Sequence, residues 1–204
     1  KIDYSIDGGT SWNFIATLAG AELANNGNGA QTYVWNPVED EKSETCRIKV
    51  SHDNTDYSDV KDTSDNDFAI RPQVSVTQPI DGSDHKVGTS ANIRIERTSS
   101  LITNVKVEYS VDGGTYGLLA QAGSDNVPLT GDITNYTWNS IPNEISGTVK
   151  IKATDTGNPE ISGISPNFHI IGGLELTSPV GTETWQVEPK TKEITFNVTG
   201  DIAQ

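Results

Sequence analysis

Apolar and polar residues alternate in short bursts along residues 72–171, and this alternation predicts a series of strands. Val74 and Val76 point one way from a first strand that Pro79 ends, and Ile93 and Ile95 mark a second. Val105, Val107, Tyr109 and Val111 mark a third, which runs into Asp112-Gly113-Gly114, a turn sequence that supplies positive-φ positions. Leu118 falls on the returning strand, Tyr136 and Trp138 on a fifth, Val149, Ile151 and Ala153 on a sixth, and Phe168 and Ile170 on the last. Seven short strands in about 100 residues predict an antiparallel two-sheet sandwich.

The pattern is drawn more than once. KIDYSIDGGT at residues 1–10 recurs as KVEYSVDGGT at 106–115, TYVWN (32–36) as NYTWN (135–139), RIKVS (47–51) as KIKAT (150–154), and DFAI (67–70) as NFHI (167–170). From the other end of the unit, VSVTQPIDGSDHKV (74–87) aligns with LELTSPVGTETWQV (174–187), and NIRIERT (92–98) with EITFNVT (193–199). A fixed period of this length is the signature of a repeat architecture. Residues 72–171 are then one complete repeat, 1–71 the C-terminal part of another without its first strands, and 172–204 the N-terminal strands of a third. Read on from Gln204 into Lys1, the sequence runs through the repeat without a gap. The expectation is a two-repeat unit cut at an arbitrary phase, whose tail completes the head of the next copy by continuous chain or by strand donation.

The YSxDGGT hairpin, the Y-x-W-N strand, the (R/K)-I-K-(V/A) strand and the closing F-x-I strand resemble those of immunoglobulin-like and fibronectin type III-like repeats of large bacterial cell-surface or extracellular proteins. The resemblance covers essentially the whole chain. It implies an all-β fold of tandem antiparallel immunoglobulin-like β-sandwiches in a linear array, placed extracellularly or at a cell surface. The antibody Cys…Trp…Cys pattern is missing, so no antibody-like role is implied. Ile70-Arg71-Pro72 and Ile170-Ile171-Gly172 are short linkers, and Pro72 stiffens the first. At the rise of a β-strand each domain adds roughly 35–45 Å of length.

Composition narrows the function classes. The 204 residues are 33% hydrophobic and 21% charged, enough for a lean core, and Gly, Thr, Ser, Asn and Asp favour short strands joined by turns. Fourteen basic against 28 acidic residues give −14, which repels nucleic acid and anionic membrane surfaces and attracts divalent cations. No apolar run reaches the ~18 residues of a membrane span, so no membrane insertion is expected in this segment. Cys46 stands alone, without a disulfide framework, and reads as a small buried side chain in a strand.

Few motifs carry chemistry. Ser5-Ile6-Asp7-Gly8-Gly9-Thr10-Ser11-Trp12 is similar to the Asp-box of sialidase-like propellers, a structural hairpin, but its period here is about twice that of a propeller blade and the second copy lacks the Trp. His52, His85 and His169 fall at unrelated repeat positions, and no metal or nucleophile motif accompanies them, so no enzyme is expected. Residues 53–67 crowd six aspartates around one lysine next to a domain junction. Asp62, Asp65 and Asp67 are its candidate calcium ligands, in the manner of cadherin-like arrays, which IKATDTGNPEISG (150–162) also resembles; a solvated acidic loop is the competing reading. The sequons at Asn135 and Asn197 both lie inside predicted strands. Trp35 and Trp138 share a repeat position and read as core anchors, whereas Trp12 and Trp185 vary between copies.

Two functions follow. The first is a structural repeat unit of an extracellular fibre, stalk or surface filament, assembled head to tail with neighbouring copies. The alternative is a glycan- or protein-binding adhesin or accessory module, for which Trp12, Tyr57, Tyr116 and Trp185 are the aromatic candidates.

Overall fold

The computed structural model describes residues 1–19, 29–181, 183–188 and 191–202. Gln204, where the expected junction with Lys1 falls, lies outside the described residues. No α-helix occurs among the described residues, and hence no helix long and apolar enough to cross a membrane. The chain divides into two compact units, Lys1–Pro72 and Gln73–Gln204.

The first unit is a single antiparallel sheet built from β1 (Ile2–Ser5), β2 (Asn13–Ala16), β3 (Ser43–Ser51), β4 (Lys61–Thr63) and β5 (Phe68–Ile70). Its order is β2-β1-β3-β4, with β5 pairing on the other half of β3.

The second unit holds β6 (Val74–Gln78), β7 (Asp84–Lys86), β8 (Ala91–Arg97), β9 (Asn104–Ser110), β10 (Gly117–Leu118), β11 (Val127–Pro128), β12 (Ile133–Trp138), β13 (Ser146–Asp155), β14 (Ser162–Ile164) and β15 (Phe168–Ile171). These form two sheets. One runs β10-β9-β13-β15-β7, with β11 also on β9 and β14 also on β13; the other runs β12-β8-β6. The first-strand region thus contributes β6 to one sheet and β7 to the other, and β7 lies parallel to β15 while every other pair is antiparallel. This is the strand order of an immunoglobulin-like sandwich. A ribbon follows, β16 (Gly173–Ser178) paired antiparallel with β17 (Thr195–Thr199).

Alternation along each strand sends one set of side chains inward. Val74, Val76, Ile93 and Ile95 from one sheet meet Val105, Val107, Val149, Ile151 and Phe168 from the other, all buried. Trp138, 2% exposed, anchors this core with its ring 5.2 Å from that of Tyr109, whose hydroxyl donates to Glu144 at 3.1 Å. Where β14 passes under β6 there is room only for glycine: a Cβ on Gly163 would lie 2.8 Å from the Ser75 Cα.

The structure departs from the sequence reading in a few places. β7, β11 and β14 are added strands, too short for an alternating pattern to reveal them. Val111 lies just past the end of β9, while Leu118 is on β10 as expected, exposed and followed by the buried Leu119. Residues 32–36 are not a strand, although their counterpart is β12. The cause is a missing partner: β12 is held by β8, and among the described residues the first unit has no equivalent of β8. Trp35 is consequently only half-buried, although it keeps a ring contact with Tyr4 at 5.0 Å, as Trp138 does with Tyr109.

Trp138→Ala is expected to cost about 3–5 kcal/mol, as for other buried aromatics, and Trp35→Ala markedly less. Urea unfolding of both variants checks this; equal losses would mean that the two tryptophans share one environment in solution.

Candidate functional site

The two copies share the register of their central strands. Ile2 pairs with Val50 and Tyr4 with Ile48, as Val107 pairs with Ala153 and Tyr109 with Ile151. Cys46 opposite Phe68 repeats Val149 opposite Phe168, and Cys46 is buried as its counterpart is. Ser43 donates to the Ile6 carbonyl at 2.6 Å, and Ser146 donates to the Val111 carbonyl at 2.5 Å.

What differs is the cover. In the second unit β6 and β8 lie over this sheet; in the first, the same face opens into a cavity of about 660 Å³ lined by Ile2, Ile15, Leu18, Trp35, Ile48 and Val50. Its rim carries Lys1, His52 and Asp53, and Val50 is 52% exposed where its counterpart Ala153 is buried. Tyr33, also on its lining, is 41% exposed. An apolar concavity of this size on a sandwich sheet is the principal candidate site of the chain.

The β16–β17 ribbon presents the complementary case. Leu174 stands opposite Val198 and Leu176 opposite Phe196, so all four share one face, and all four are exposed.

The Asp-box hairpin is structural in both copies. Ser5 donates to Asp7 at 2.7 Å, Asp7 accepts from the Ser11 amide at 2.8 Å and its hydroxyl at 2.6 Å, and Gly8 and Gly9 take φ of 71° and 95°. In the second copy Asp112 accepts from the Ser110 hydroxyl at 2.6 Å and from the Gly114 and Thr115 amides at 2.8 and 2.9 Å. Hydrogen bonds to the ionised carboxylate favour it, from Ser11 above all for Asp7 and from Ser110 for Asp112, and hold both down from 3.8 to about 2.

The remaining candidates are dispersed. Asp62, Asp65 and Asp67 are all exposed, and Asp67 is taken by Arg47 at 2.6 Å. Among the described residues no group of three or more potential metal-ligating side chains comes together. Trp12 is half-buried under Lys49, whose ammonium sits 4.2 Å from the ring centroid, beside a polar cavity of about 480 Å³ that also reaches Asp3 and Thr63. Tyr116 is half-buried, while Tyr57 and Trp185 are exposed. His85 approaches Ser83 at 3.0 Å and His169 approaches Asp84 at 2.8 Å, so no single imidazole links a serine to a carboxylate there. His52 stacks near Tyr57 at 4.8 Å in the first unit. Sequence reasoning did not single out the exposed hydrophobics at 50, 174 and 196, which were readable only by asking what each residue's counterpart in residues 72–171 packs against.

No family model matches this sequence, and neither does any curated protein. Among solved structures the chain is similar to a chimeric titin Z1Z2-Z1Z2 tandem functionalized with a GRGDS peptide from fibronectin, at 14% identity and a TM-score of 0.31, over 84% of this chain and 83% of that one. With so low a score, the fold assignment stands on the sheet pairing above.

Two outcomes are expected here. Because both turn carboxylates titrate lower when folded, their stabilisation is complete above pH 3.8 and is lost as pH falls towards about 2. Carboxyl NMR should give midpoints near 2, and Asp7→Asn with Asp112→Asn should flatten acid unfolding within that window; midpoints near 3.8 would show the turns open in solution. Millimolar calcium should leave the melting temperature unchanged. A rise in the parent that vanishes in the Asp62→Asn, Asp65→Asn, Asp67→Asn variant would instead mark a cation site, because a ligand specific to the folded state stabilises it.

Proposed function

We propose that this chain is a structural repeat unit of an extracellular fibre, stalk or surface filament, in which copies follow one another head to tail, and that it performs no catalysis. The observation that carries the reading is the matched pair of incomplete surfaces. An apolar sheet face lies open in residues 1–72, and a two-strand ribbon with one apolar face uncovered occupies residues 173–199. Each is the part of the repeat that the other lacks when compared with the complete sandwich at 73–171. The net charge of −14 favours solubility of such an array over non-specific adhesion to anionic surfaces. Lys49 over the Trp12 ring weighs against that indole as a sugar-stacking platform.

The test is a protein carrying two copies of the 204 residues in tandem, studied by hydrogen exchange. The amides of Tyr33 and Val34 in the second copy are expected to become protected, while those of the first copy exchange as in the single chain. Equal exchange in both copies would overturn the repeat-unit reading.

A further inference from the structure

The open face and the bare ribbon agree in more than their apolar character. β16 and β17 pair in the register of β6 and β8: Leu174 with Val198 repeats Val74 with Arg97, and Leu176 with Phe196 repeats Val76 with Ile95. Both pairs then slip at the same place, after Leu176 and after Val76, so that Ser178 meets Thr195 as Gln78 meets Arg94. The ribbon is therefore already shaped as half of a sandwich, and among the described residues no third strand pairs with it.

We propose that residues 173–199 of one copy of this chain dock as a preformed two-strand ribbon on the open face of residues 1–72 of a second copy. The proposal deepens the head-to-tail reading and rests on it for the identity of the partner. The intact repeat sets the geometry: β8 lies between β6 and β12, so β17 takes the middle place and residues 32–36 become the outer strand. Tyr136 opposite Ile93 and Thr137 opposite Asn92 translate into Tyr33 opposite Ile194 and Val34 opposite Glu193. Phe196 and Leu176, 58% and 53% exposed in the ribbon, enter the cavity beside Trp35 and Ile48, the positions at which Ile95 and Val76 are buried beneath Trp138 and Ile151.

One position resists the fit. Thr63 and Asp62 sit in β4 as Ile164 and Gly163 sit in β14, and Gly163 is where the backbone of β6 leaves no room for a side chain. Asp62 therefore holds β16 farther out than β6 lies in the intact repeat, and it weakens the docking without blocking β17.

Cysteine pairs read the register directly. In a Cys46→Val background, Val34→Cys and Glu193→Cys are prepared as separate proteins and mixed at high concentration under mild oxidation. Directly opposed residues of antiparallel strands have the Cα spacing a disulfide requires. The expected product is a disulfide heterodimer, whereas Val34→Cys mixed with Ile194→Cys, one residue out of register and facing the core, gives little. By sedimentation, Leu176→Asp with Phe196→Asp should weaken association more than about a hundredfold, since each large buried side chain is worth one to two factors of ten. Asp62→Gly should strengthen it. Circular dichroism of these variants, matching the parent, shows that the units remain folded. Absence of the heterodimer, equal cross-linking in both registers, or an internal disulfide in the Val34→Cys, Glu193→Cys chain in place of an intermolecular one each overturns the proposal. Protection at the junction of the two-copy protein together with any of those results would leave the array reading standing and remove only the docking of separate copies.

Discussion

Two sheets of a sandwich bury a single interior, and neither has a reason to stay flat and ordered without the other. In the complete repeat, Ile93 and Ile95 close over Val107 and Ile151, with Trp138 at the edge between them. Each such side chain contributes about 1.5–3 kcal/mol only when both sheets exclude water from it. The first unit keeps its own sheet in register yet lacks a strand where that cover is absent: residues 32–36 have the sequence of a strand without being one. Backbone pairing needs an adjacent strand, and apolar packing needs a facing layer.

Features that rely on local bonding are indifferent to this. The Ser–Asp turn, the hydroxyl bond from Ser43 or Ser146 across to the hairpin carbonyl, and the tyrosine that reaches a glutamate from beside the tryptophan occur in both copies. They fix one sheet and its hairpin before the second layer is required. The first unit is on that account a specific surface, with a fixed strand register, rather than a collapsed fragment.

Much of this was legible in the chain. The all-β character and the strands shared by the two copies come from matching KIDYSIDGGT with KVEYSVDGGT and its companions. Three things were hidden for physical reasons. β7 spans Asp84–Lys86, without an apolar residue, and is held by backbone bonds to β15, which leave no trace in hydropathy. Gly163 looks like a loop glycine until the strand above it is seen. The aspartates at 62, 65 and 67 crowd together in sequence, but Asp62 lies on a strand and Asp67 beyond its end is engaged by Arg47, so proximity along the chain does not become convergence in space.

The parallel pairing of β7 with β15 has a mechanical meaning. β7 lies near the entry of the complete repeat and β15 at its exit, with His169, Ile170 and Ile171 opposite Asp84, His85 and Lys86. Tension applied through the two ends of the repeat draws parallel neighbours in opposite directions along their length. The ladder is then loaded in shear, so its bonds must yield together instead of opening one at a time like a zip. Three residues without an apolar side chain, Asp84–Lys86, supply that ladder.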